Sequence, residues 1–224
     1  DFTTCLLGVP MNDQPLRIRM TYAKLGNLRF IGHLDLKRLF ERALRRTNLP
    51  LRYTQGFSPH LRLNLASALP LGFIGIAEQM DFWLDEQLPL EEISARLWAA
   101  LPAELILKDL RFVSNQSPSL QASLLSSDYE VILPMEIDPL DLQGKLAALL
   151  ARDTIPVQRR KKSVDLKSLI LDCGISGIPA KPVMTISMKS TPLENGRPDE
   201  LLTLLSMDPA DCVITRTKLN FLVE

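Results

Sequence analysis

Histidine, cysteine and aromatic residues are all scarce in this 224-residue chain, which has two His, three Cys and 6% Phe, Trp and Tyr together. Two histidines exclude a multi-histidine metal site. Cys5, Cys173 and Cys212 are odd in number and far apart, so they make neither a disulfide framework nor a CxxC knuckle. The expectation is structural cysteine in a reducing, cytoplasmic setting. The longest apolar runs, such as Leu69–Phe73, fall far short of the ~18 residues that span a bilayer, and no membrane partner is expected. Nucleotide-binding loops of the GxxxxGK and GxGxxG types are missing, as are HExxH, GxSxG and CxxxCxxC. The chain opens on Asp1 with no basic-then-apolar leader, which reads as a piece cut from a longer protein without a secretory signal.

What is present is ordinary globular composition, 46% hydrophobic and 23% charged, enough for one large domain or two small ones. Net charge is zero, yet unevenly laid out. Residues 16–65 carry eleven Lys and Arg against two acids, and residues 66–150 carry four against thirteen. Nine of the eleven early bases are arginine, whose planar fork binds phosphate bidentately and stacks on bases. The asymmetry reads as a footprint for a polyanion or an acidic partner, or else as two parts of one fold neutralising each other.

Hydrophobic periodicity gives the order of elements. Leu16–Ala23 alternates as a strand, and Leu34–Thr47 runs at helical spacing with Leu36, Leu39, Phe40, Ala43 and Leu44 on one side. Leu51–Ser58, Leu61–Ser67 and Gln79–Leu84 read as strand segments, Leu90–Leu101 as a helix and Glu104–Val113 as a strand. Ser- and Gln-rich residues 114–127 read as a linker. The pattern then restarts with a strand at Tyr129–Met135 and a helix at Pro139–Ala151, for which Asp138 is a good N-cap. A strand at Thr154–Arg160, a short helical stretch at Val164–Asp172, a strand at Pro182–Lys189, a helix at Pro198–Met207 and a strand at Cys212–Val223 complete it. The expected fold class is therefore α+β, two tandem ferredoxin-like (βαββαβ) units. They cover 16–113 and 128–224, with 1–15 as a linker from a preceding region.

Three stretches carry candidate chemistry. In the first, Arg29-Phe30-Ile31-Gly32-His33 opens the helix on which Arg38, Arg42 and Arg45 recur at i, i+4 and i+7, with Arg46 beside them. His33 suits either an anion or general acid–base work, or is a structural capping histidine. In the second, Arg52, Tyr53, Gln55, Phe57, His60 and Arg62 fall within eleven residues together with Gly56 and Pro59. Aromatics that stack bases beside arginines that hold phosphates are the means of single-stranded RNA recognition, and a rigid hairpin that buries Phe57 is the alternative. In the third, Arg159, Arg160, Lys161 and Lys162 form a basic run, either a solvated loop or an extension of a phosphate-binding surface.

The run from Leu16 to Phe73 resembles an uncharacterised bacterial domain, the radical-SAM-linked protein. The carrying elements are Arg29-Phe30 before His33-Leu34-Asp35-Leu36, Ala43-Leu44-Arg45-Arg46, Gln55-Gly56-Phe57-Ser58-Pro59 and Ala68-Leu69-Pro70-Leu71-Gly72. Gly32 stands where the family commonly has serine. The resemblance implies a radical-SAM domain as partner, in cis or in trans. Any S-adenosylmethionine and 4Fe–4S cluster would then lie in an upstream region, with no cofactor in this chain. The function expected is an accessory RNA-binding domain (tRNA or rRNA) of a radical-SAM protein, without a catalytic centre of its own. The alternatives are a protein–protein docking module for the radical-SAM core and a metal-independent endoribonuclease-like domain using His33.

Overall fold

The computed structural model describes residues 14–160, 162–178 and 181–222. Among them the chain is mixed α+β, with five helices and one large, mostly antiparallel sheet. The first half contributes β1 (Leu16–Lys24), α1 (His33–Arg46), β2 (Leu63–Leu65), β3 (Ile74–Leu84), α2 (Leu90–Ala100) and β4 (Leu105–Val113). The second contributes α3 (Leu120–Ser123), β5 (Leu124–Ile132), α4 (Pro139–Leu150), a separate β6–β7 hairpin (Pro156–Arg159, Lys162–Asp165), β8 (Ile170–Ile178), β9 (Lys181–Lys189), α5 (Pro198–Leu204) and β10 (Val213–Phe221).

The strands lie in the order β4-β1-β3-β10-β5-β9-β8, with β2 also on β3. All named pairs in that sheet are antiparallel except β3–β10, where Ile74 meets Thr215 and Gly75 meets Arg216. That short parallel contact joins the two halves into one sheet.

Two cores line it. Alternation along β1 turns Ile18, Met20 and Tyr22 toward α1 and α2, where they meet Leu36, Phe40, Leu44, Ile93 and Leu97. Tyr22 packs edge-on against Phe40, with ring centroids 4.8 Å apart. The second core gathers Tyr129, Val131, Leu146, Met184, Ile186 and Leu201, and takes Leu69 and Phe73 from the first half. α1 ends where Asn48 adopts a left-handed conformation (φ 52°), a role asparagine tolerates, and Pro50 follows. Asp138 caps α4 as its position suggests, its side chain accepting from Leu140 N–H.

Several elements differ from the sequence reading. Leu51–Ser58 is no strand: Leu51 makes a single bridge to Leu84 of β3, and Tyr53 makes one to Leu61 within the hairpin itself. The stretch 114–127 holds α3 and the first residues of β5, which begins at Leu124 rather than Tyr129. Val164–Asp172 is helical only over one 3-10 turn, Lys167–Leu169; its ends belong to β7 and β8. Ile170, Cys173 and Ile175 contact the second core from that strand, an edge placement that local periodicity does not reveal.

Candidate functional site

The eleven bases of residues 16–65 do not form one surface. Arg17 and Arg19 sit on the β1 face opposite the first core, and both bind the buried carboxylate of Asp81, Arg17 through Nε at 2.8 Å and Arg19 through Nε at 2.8 Å. Arg17 also donates to the carbonyls of Ser117 and Pro118, which lays residues 114–118 over this face. Trp83 lies beneath two guanidinium groups, Arg62 at 4.3 Å and Arg17 at 5.7 Å, and donates from Nε1 to Asn115. Lys24 is buried near Glu78, and desolvation lowers its pKa against the opposing pull of that carboxylate. Arg52 is paired with Asp85 at 2.8 Å, and Arg29 stacks on Phe30. Asp81 and Asp85 belong to the acidic middle of the chain, so part of the charge asymmetry is internal neutralisation.

The bases of α1 are different. Arg38, Arg42 and Arg46 stand at i, i+4 and i+8, about 6 Å apart along the axis, and line one groove of about 430 Å³ with Asp35, Ile31, Leu39 and Pro102. Arg38 reaches Asp35 at 3.2 Å, but both side chains are over 60% exposed, so the pair contributes little and yields readily. Arg46 donates to Ala100 O at the end of α2, where a cation also suits the helix dipole. Arg42 is exposed and among the described residues makes no ion pair. Arg45 is exposed at the same helix end but does not line the groove.

His33 is the first residue of α1, behind Gly32, which offers no side-chain cap. Its Nδ1 is buried without a hydrogen-bond partner. Burial, reinforced by Lys37, Arg216 and Lys24, lowers its pKa and favours the neutral ring. No group of three or more His, Cys, Asp or Glu among the described residues is arranged to hold a metal ion.

The remaining sequence candidates lie elsewhere. Tyr53, Gln55, Phe57 and His60 project from the hairpin between α1 and β2, all exposed, with Phe57 as open as in an extended chain. Arg159, in the second half, is held by Glu200 through two bonds of 2.7 and 2.8 Å, and its pKa rises chiefly through that hydrogen bond. Arg160 is exposed beside it; Lys161 lies outside the described residues.

A larger cleft of about 560 Å³ opens where the halves meet, between Arg29, Phe30, the 70–73 turn and residues 208–214. Asp199 lines it with a buried Oδ1 that lacks a donor, and desolvation raises its pKa. Under the same junction Arg216 and Glu78 form a buried ion pair. No short-range pattern announces that pair, since its members are 138 residues apart.

A family model for an uncharacterised protein conserved in bacteria, DUF2344, matches residues 17–198, which take in the first core and most of the second and end before β10. The chain belongs to the DUF2344 family. No curated protein matches this DUF2344 chain. Among solved structures it aligns with a candidate glycine cleavage system transcriptional repressor at 12% identity, over 94% of this chain and 99% of that one, with a TM-score of 0.25. It aligns equally loosely with a protein of unknown function from Galdieria sulphuraria, at 13% identity, 94% and 100% coverage and a TM-score of 0.27. Scores this low carry no argument about the DUF2344 fold or its function.

Proposed function

We propose that this DUF2344 chain is an accessory RNA-binding domain, without a catalytic centre of its own, that serves a radical-SAM protein in cis or in trans. The supporting observation is the α1 groove, where three arginines share one face and one open channel while Arg17 and Arg19 are engaged inside the fold and Arg52 is paired with Asp85. Guanidinium forks at about 6 Å intervals suit a chain of phosphates, and a weak exposed pair such as Arg38–Asp35 gives way to a better anion. Each half is read as a ferredoxin-like unit, because its strands run fourth-first-third-second along the sheet once the β6–β7 hairpin is set aside.

The reading is tested by titrating labelled tRNA and rRNA fragments at several salt concentrations. Replacing Arg38, Arg42 or Arg46 with Gln frees one phosphate from its arginine, and each such replacement reduces the slope of log affinity against log salt by about 0.7–0.9. Binding that ignores salt, or no binding to any RNA, overturns it.

A docking module for the radical-SAM core is the second reading. Phe30 and Leu71, 59% and 64% exposed, rim the junction cleft and form a patch that RNA binding does not need. Co-elution with the core that survives nuclease and disappears in Phe30→Ser favours this reading over the first.

A further inference from the structure

The hairpin between α1 and β2 holds an aromatic ring in water, and the fold takes trouble to keep it there. Its stem is fastened to the sheet: Arg52 N–H donates to Trp83 O at 2.8 Å, Arg62 N–H donates to Arg52 O at 2.9 Å, and Asp85 N–H donates to Pro50 O at 2.8 Å. Leu51 and Leu61 anchor it in the first core, and the Arg52–Asp85 ion pair closes its base. The tip then bonds to itself. Thr54 N–H donates to His60 O at 2.7 Å, and His60 N–H donates to Thr54 Oγ1 at 3.0 Å. Gly56 sits at φ 130°, a conformation that favours glycine. Phe57 follows it at 110% relative exposure, and Tyr53, at the junction of stem and tip, is 39% exposed.

The surroundings indicate what such a ring meets. From Arg42 to Ala77 the sequence contains no Asp or Glu, while Arg52, His60 and Arg62 flank the tip. Between Tyr53 and His60 there is no aliphatic side chain, only Thr, Gln, Gly, Phe, Ser and Pro. A surface for a protein partner would be a contiguous apolar patch. A planar ring on a tip that carries donors and no carboxylate of its own, with Asp85 already taken up by Arg52 at the base, matches instead the face of a nucleobase.

We infer that Phe57 stacks on an unpaired base, so that the RNA held by the α1 groove is single-stranded where it meets this hairpin. The inference rests on the RNA-binding reading and specifies its ligand. Bases in a duplex already have both faces stacked, so only unpaired nucleotides offer one to Phe57.

The test uses the whole chain and fluorescence anisotropy with a labelled 12-nucleotide single-stranded RNA and the same sequence as a duplex, each over a salt series. Wild type is expected to prefer the single strand. Phe57→Ala is expected to weaken that binding roughly 5- to 150-fold, the worth of one base–aromatic stack, with the salt slope unchanged. Phe57→Tyr keeps the affinity. Because the ring touches no core, circular dichroism of Phe57→Ala should match wild type. Single-strand affinity that is indifferent to Phe57→Ala, or equal wild-type affinity for the duplex, overturns the inference and leaves the groove standing. Failure of the wild type to bind either RNA overturns the groove and the stacking together.

Discussion

One buried ion pair spans the junction between the halves, and Glu78→Ala measures what it contributes. The Glu78 carboxylate accepts from Arg216 Nε at 2.7 Å and also from Nη2, with the two side chains 3% and 2% exposed. Burial works against the Arg216 charge, but the Glu78 carboxylate and its hydrogen bonds outweigh it and raise the pKa, so the guanidinium stays charged. Removing the carboxylate leaves that charge with neutral groups, Ser67 Oγ at 3.4 Å, Ala68 O at 3.2 Å and the neighbouring Tyr129. The cost of breaking a buried pair in this way is about 3–5 kcal/mol, a large share of the ~5–15 kcal/mol that holds a domain folded. Equilibrium urea unfolding followed by circular dichroism reads it out. Glu78→Leu combined with Arg216→Met is expected to recover most of the loss, since no charge is then stranded. A second arm uses Gly75, where an added Cβ would lie 2.6 Å from Glu78 Cγ and Oε1. Gly75→Ala therefore pushes the carboxylate aside and destabilises wild type, but costs much less in the Glu78→Ala background. A loss below about 1 kcal/mol for Glu78→Ala, or strict additivity with Gly75→Ala, would refute the reasoning.

Other consequences can be checked separately. Asp81→Ala strands Arg17 and Arg19, so it is expected to cost a similar ~3–5 kcal/mol and to speed amide exchange in residues 114–117, which Arg17 holds through the carbonyls of Ser117 and Pro118; unchanged exchange there would contradict the assignment. The Asp199 pKa is raised in the folded state, mainly by burial, so the ionised form costs stability above the ordinary carboxylate range and the cost disappears below it. Asp199→Asn should therefore stabilise the protein at pH 7 and lose that advantage as pH falls toward 4, as followed by thermal melts; the opposite trend would mean that the carboxylate is paired. Burial pushes the Cys173 thiol up to about 12, so mass-mapped alkylation at pH 8 should leave Cys173 untouched until urea is added; rapid labelling in the folded state would show that it is open.

Much of the architecture can be read from local pattern, and the failures have a common cause. α1 is found within one residue of its expected span because Leu36, Phe40 and Leu44 mark a single face. α4 and α5 begin where Asp138 and Pro198 place them. β1 is equally visible in the sequence, but the fate of its polar face is not. Arg17 and Arg19 alternate as solvent-facing residues do, and become buried because Asp81, on the neighbouring strand, and residues 114–118, a hundred positions on, close over them. The same long range hides the partnership of Glu78 with Arg216. Alternation tells which residues share a face; it does not tell whether another segment covers that face. In the candidate site, helical spacing puts Arg38 and Arg42 together as expected, but the third arginine of the groove is Arg46, drawn to Ala100 O at the end of α2, and not the Arg45 that the i, i+4, i+7 reading selects; the pairing of Arg52 with Asp85 and the stacking of Arg62 on Trp83 depend on how β2 and β3 meet. The sequence leaves the exposure of Phe57 open, allowing a buried ring as readily as a presented one.

RNA binding by the α1 groove is tested most directly by its salt dependence for wild type and for a chain with Arg38, Arg42 and Arg46 all replaced by Gln. Wild type is expected to show a steep dependence whose slope falls by about two to three units in the triple variant, at about 0.7–0.9 per phosphate. An RNA affinity or salt slope that the triple variant leaves untouched would contradict it.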